Sequence, residues 1–161
     1  MAASGQPAQG IPLLTAGLEH QRALGSTRYI PHGLTMLADA YRVGGVPELG
    51  LAQISEAEQL AEATQVKWVL AETLRLRGDL LAQTGDHTAA EASYREALAL
   101  AQQQDAKLWE LRTATSLARA WHDQGKRTEA HALLAPVYSW CTEGFDTADL
   151  KDAKALLDQL R

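Results

Sequence analysis

Five histidines, one cysteine and a scatter of serines and carboxylates are the residues of this 161-residue chain whose side chains could carry chemistry. A metal site on one helix needs ligands on one face, as at i and i+4, and His20, His32, His87, His122 and His131 show no such spacing. Paired carboxylates do acid–base work when an apolar pocket raises the pKa of one of them. Glu56 with Glu58, and Asp146 with Asp149, read instead as solvated helix faces and caps. No G-x-S-x-G occurs, and Ser55, Ser93 and Ser116 fall inside helical stretches. Cys141, beside Trp140, offers a thiol, although a small packed residue is the commoner role. Neither G-x-x-x-x-G-K-[ST] nor G-x-G-x-x-G is present, so nucleotide binding has no support. Tyr29, Trp68 and Trp109 flank helix starts, where packing is the first reading and an aromatic ligand cage the second. The expectation is a chain with no catalytic residue, no cofactor and no metal.

The composition fits a binding or structural role. Hydrophobic residues make up 46% of the chain, enough for one compact domain or one short repeat array. The net charge of −5 argues against nucleic acid, whose binding proteins show a basic patch or stripe. The single cysteine excludes an internal disulfide and points to a reducing, cytoplasmic setting. "MAASGQPAQG" has neither the basic nor the apolar region of a secretory signal, and no apolar run is long enough to span a membrane.

The elements that would position any site are helical: β-branched residues are sparse and apolar positions fall at helical spacing. The stretch "GDLLAQTGDHTAAEASYREA", residues 78 to 97, reads as two helices joined at Gly85-Asp86. Gly45 and Gly125 lie 40 residues to either side of Gly85, and the offset holds at other positions. Ala38, Gly78 and Ala118 are small; Tyr41, Leu81 and Trp121 are large; Gly50, Ala90 and Ala130 are small again. Ile54, Tyr94 and Leu134 are large, and Ala57 and Ala97 are small where Val137 is larger. The chain is a repeat array. Small residues let two helices approach, large ones fill the space left, and the glycine ends the first helix in a left-handed conformation. Each hairpin covers only part of its apolar surface, so neighbours must stack.

Gly78, Leu81, Ala90, Tyr94 and Ala97 around the Gly85-Asp86 turn resemble the tetratricopeptide repeat. That family implies an all-α, right-handed α-α superhelix, here of about 3.5 hairpins with a 40-residue period plus a C-terminal capping helix. Two departures stand out. The period exceeds the family's 34 residues, which lengthens the second helix, and Arg77 occupies a position usually held by Leu, so either its stem runs along the core or the helix is locally rotated. More narrowly, "LRLRGDLLAQTGD", "AEASYREALALAQQQDAKLWELRTATSLARAWHDQGK" and "EGFDTADLKDAKALLDQL" are similar to the C-terminal repeats of bacterial adenylate/guanylate cyclase and AAA-type ATPase signalling regulators.

The expected organisation is a flexible tail over 1–9 and a helical repeat domain over 10–161. Within it come a half-repeat at 10–25, repeats at 31–64, 71–104 and 111–141, and the cap at 147–160. Pro136 should kink or end the seventh helix. Asp146 or Thr147 can accept from free N–H groups at the start of the last. With the first helix of the half-repeat missing, Ile11, Leu14 and Leu18 should be partly uncovered. A longer solenoid, or a homodimer through this end, would cover them.

The resemblance also implies a concave groove, lined by fixed positions of the first helix of each hairpin. In this chain these are His32, Thr35, Asp39 and Arg42; then Glu72, Arg75, Asp79 and Gln83; then Arg112, Thr115, Arg119, His122 and Asp123. Arg75, Arg112 and Arg119 could grip an acidic peptide through bidentate bonds. A solvated helix face would hold the same residue types. The Lys/Asn carboxylate clamp of chaperone-binding members is absent at these positions. The function implied is non-catalytic: a protein–protein or intramolecular regulatory scaffold. A free-standing adaptor or homo-oligomer, and a sensor that binds a small inducer in the groove, are the alternatives.

Overall fold

The computed structural model describes residues 7–25 and 27–161, and all regular structure among them is α-helical. The helices are α1 (Pro7–Ala23), α2 (Ile30–Val43), α3 (Pro47–Thr64), α4 (Leu70–Gln83), α5 (His87–Gln103), α6 (Lys107–Asp123), α7 (Arg127–Ser139) and α8 (Ala148–Leu160). The helix therefore starts three residues inside the segment expected as a tail, and residues 1–6 lie outside the described residues. In the first two hairpins the second helices are the longer, with 18 and 17 residues in α3 and α5 against 14 in α2 and α4, whereas in the third the first helix α6 has 17 residues and α7 has 13.

The turn glycines close helices as their spacing implied. Gly45, Gly85 and Gly125 have φ of 72°, 87° and 80°. At each turn the glycine N–H reaches back three residues, and the next N–H reaches back five, to the carbonyl of Tyr41, Leu81 or Trp121. Both bonds satisfy carbonyls that the helix end would leave open. Asp86 then starts α5, its Oδ1 accepting from the Ala89 N–H at 3.0 Å. A second set of left-handed residues recurs at the same period between hairpins: Gly25, Gln65 and Asp105, with φ of 67°, 57° and 51°. Only the first of these is glycine, so composition concealed the turn.

The chain divides into two compact units, one ending at Ser93 and the other starting at Tyr94. In the first, Leu18, Ile30, Leu34, Leu37 and Ala57 form one core cluster, and Ala38, Ile54, Leu76 and Leu80 form another. Close approach explains two glycines. A Cβ on Gly50 would stand 2.6 Å from Leu80 Cδ2, and one on Gly33 would stand 2.6 Å from Leu18 Cδ2. Leu18 is buried at 4% exposure by fitting over Gly33, which corrects its expected uncovering. Ile11 and Leu14 pack against the same cluster and are half-buried.

Arg77 does not simply lay its stem along the core. Its Nε donates to Ser93 Oγ at 2.9 Å and its Nη1 to Glu58 at 2.7 Å, tying α4 to α3 and to the start of α5.

In the second unit, α8 packs against both α6 and α7. Its Leu150, Ala153, Leu156, Leu157 and Leu160 join Leu111, Ala114, Ala118, Ala130 and Leu134 in one core. Each buried leucine contributes about 1.5–3 kcal/mol, so this stripe holds the helix in place. α7 carries Pro136 inside it and ends three residues later, at Ser139. One local expectation needs correction. Thr147 is the N-cap of α8, but its hydroxyl donates to the Gly144 carbonyl at 2.7 Å and does not cap the helix.

Candidate binding face

In the first unit, the helix-face positions of α2 and α4 meet along one polar seam. Arg75 Nε and Nη2 donate to Glu72 Oε2 and Oε1, each at 2.8 Å, and Nη1 donates to Asp79 at 2.6 Å. Arg42 pairs with Asp39 at 2.8 Å, lies 4.0 Å from Asp79, and accepts on its carbonyl from Gln83 Nε2 at 3.2 Å. Thr35 Oγ1 sits 2.8 Å from Thr73 Oγ1 and also donates to the Pro31 carbonyl. Thr73 was missed in sequence because it lies on the packed side of the helix, where a hydroxyl carries no pattern.

The seam holds three carboxylates against two guanidiniums. Arg75 and Glu72 are each only 6% exposed. Burial alone would lower the Arg75 pKa, but the hydrogen bonds and charges of Glu72 and Asp79 raise it above the ordinary arginine value. Arg75 is thus a structural cation, held inside the fold.

His32 lies half-buried at one end of this seam, its ring 5.1 Å from that of Trp68. Its Nδ1 is buried with no hydrogen-bond partner. Burial lowers its pKa, and the nearby Glu72 charge opposes that only in part.

In the second unit, α6 presents Arg112, Thr115, Arg119, His122 and Asp123. Arg112 Nε lies 3.4 Å from Asp149, and Arg119 Nη2 reaches both oxygens of Asp152 at 2.8 Å. Both acidic partners are on α8, so the basic bias of this hairpin is answered within the chain. Thr115 is buried and donates to the Leu111 carbonyl. His122 Nδ1 lies 3.2 Å from Asp123 Oδ1. Asp149 and Asp152 were legible only as surface acids, since nothing local said which helix they would face.

Among the described residues, no group of three or more His, Cys, Asp and Glu side chains is arranged to hold a metal ion. No helix among them is long and apolar enough to cross a membrane. The second unit also holds a pocket of about 320 Å³ between the end of α5, the start of α6 and the later half of α7. Sequence reasoning passed over it, although one signal was available. At the 40-residue step where Ile30 and Leu70 are apolar, the third member is Glu110, and it is buried.

Residues 69–137 match the family model of the tetratricopeptide repeat. The match opens one residue before α4, spans both turn glycines 85 and 125, and ends within α7. It fits the all-α helical-repeat fold described above. Repeats of this family generally mediate protein–protein interaction and are generally non-catalytic. No curated protein matches the chain.

Proposed function

We propose that this chain is a non-catalytic protein-interaction module whose partner docks on the polar faces of the first helices. The observation that carries this reading is the α2–α4 seam, where Asp39, Arg42, Glu72, Arg75 and Asp79 are locked into one charge network. A prearranged polar surface needs little ordering on binding, which favours docking of a peptide or helix. The acidic-peptide version loses its central cation, because Arg75 is enclosed by its own carboxylates. On the α2–α4 face, a partner segment with basic or hydrogen-bond-donating side chains fits better, directed at Asp39 and Asp79. Site-specific photo-crosslinking tests the face: a crosslinker at Gln83 should trap a partner, and one at the outward Ala52 should not. Equal yields at the two positions, or none at Gln83, reject it.

On a finer level, we infer that the module is the C-terminal arm of a larger cytoplasmic bacterial signalling protein. That rests on the resemblance of its repeats and of "EGFDTADLKDAKALLDQL" to those of cyclase and ATPase regulators. A reading frame that continues upstream into such a domain supports the inference, and a free-standing frame removes it.

A second reading, a free-standing adaptor or homodimer joined through α1, draws on a separate observation. Among the described residues, a Cβ on Gly17 would meet nothing within 4 Å and Leu13 is 67% exposed, so none of them covers this face of α1. Light scattering of the purified chain decides between monomer and dimer.

A further inference from the structure

The pocket of about 320 Å³ in the second unit has an apolar wall, an indole and a charged pole. Leu133, Val137 and Pro136 of α7 form the wall, and Trp140, 62% exposed, stands at the rim. The pole belongs to Glu110, a buried carboxylate that accepts from Gln102 Nε2 at 3.2 Å and from Lys107 Nζ at 3.1 Å. Lys107 Nζ is also 3.1 Å from Asp105 and lies 5.2 Å from the centre of the Trp140 ring. The chain has therefore placed an ammonium of its own between two carboxylates and an aromatic face, the surroundings that organic cations prefer. Of the two carboxylates, Glu110 lines the pocket, and Asp105 lies outside it with its side chain 83% exposed.

The Lys107 side chain is 36% exposed and flexible enough to withdraw. We propose that this pocket is a binding site for a small organic ammonium ion with an apolar body, and that Lys107 occupies the cation position when the site is empty. The incoming ammonium takes over the contacts to Glu110 and Trp140, and its apolar body lies along Leu133 and Val137. This site is separate from the helix faces assigned to a protein partner and does not depend on that assignment.

The test is a titration of the full chain followed by NMR, with phenethylammonium, its neutral isostere 2-phenylethanol, and phenylacetate as probes. Phenethylammonium should shift the amides of Gln102, Glu110 and Val137 and the indole N–H of Trp140, with at least about tenfold preference over the alcohol. Lys107→Ala removes the internal competitor and should tighten binding of the ammonium several-fold. Glu110→Gln should abolish the preference for the ammonium. Equal binding of ammonium and alcohol overturns the proposal. So does weaker binding by a Lys107→Ala protein whose amide spectrum shows the parent fold. Absence of shifts with probe on the order of 10 mM overturns it as well.

Discussion

Arg75 grips Glu72 with two parallel hydrogen bonds, Nε to Oε2 and Nη2 to Oε1, both 2.8 Å long and both out of contact with bulk water. The residue types suggest a cation offered to a partner, and the geometry makes it a clasp along α4. Removing one member of a buried pair strands the other's charge, at about 3–5 kcal/mol, whereas removing both costs much less. Arg75→Met should therefore lower the unfolding free energy by several kcal/mol, and Arg75→Met with Glu72→Gln should recover most of it. Urea denaturation of both variants checks this. A single-variant loss under about 1 kcal/mol would show the pair to be dispensable.

Burial of His32 makes the first unit sensitive to pH. Its folded-state pKa is lowered from 6.5 by burial, with Glu72 opposing, so the unfolded chain takes up the proton first as pH falls. The contribution of neutral His32 is complete above 6.5 and is lost as pH drops through that value toward the lower folded one. Thermal melts between about pH 7 and pH 5 should show a smaller decline in His32→Gln than in the parent. Parallel curves for the two proteins would remove His32 from the account.

Gly50 and Gly17 stand in helices and should respond in opposite directions to alanine. A Cβ on Gly50 would meet Leu80 Cδ2 at 2.6 Å and the Ala38 carbonyl at 3.2 Å, whereas one on Gly17 meets nothing. Overpacking at Gly50 costs about 1–3 kcal/mol, which outweighs the roughly 1 kcal/mol gained in helix propensity. Gly17→Ala keeps the gain, so its melting temperature should rise while that of Gly50→Ala falls. If α1 pairs with another helix in solution, Gly17→Ala should also weaken the oligomer, which light scattering would detect.

Two kinds of contact join α8 to α6, and they should differ in weight. The Arg119–Asp152 pair is half exposed on both sides, at 50% and 56%, and such pairs are worth under about 1 kcal/mol. Leu156 is 2% exposed in the shared core, where truncation to alanine costs about 2–5 kcal/mol. Arg119→Ala should leave the denaturation midpoint almost unmoved, and Leu156→Ala should lower it clearly. The reverse order would mean that charge, and not the leucine stripe, holds the last helix.

Much of this architecture is local and was readable as such. Gly45, Gly85 and Gly125 announce helix ends because only glycine takes the left-handed conformation without strain. Small residues at fixed offsets announce close helix contacts, and the leucine stripe of α8 announces a cap. The helix turns at Gln65 and Asp105 were not readable, since the surrounding structure imposes a backbone conformation that those residues do not advertise. Charge pairing was hidden for a different reason. A periodic pattern tells which face a residue occupies, but not which residue of another helix will stand opposite it. Arg77 with Glu58 and Arg119 with Asp152 were therefore settled only when the helices packed, whereas Arg75 pairs with Glu72 and Asp79 along its own helix, at spacings of three and four residues. By itself the sequence determined the helices, the ends that glycine marks and the repeat, because these follow from propensity and spacing along one segment. Tertiary structure decided which polar groups stay outward and which are consumed within the fold, because that depends on contacts between residues distant in the chain.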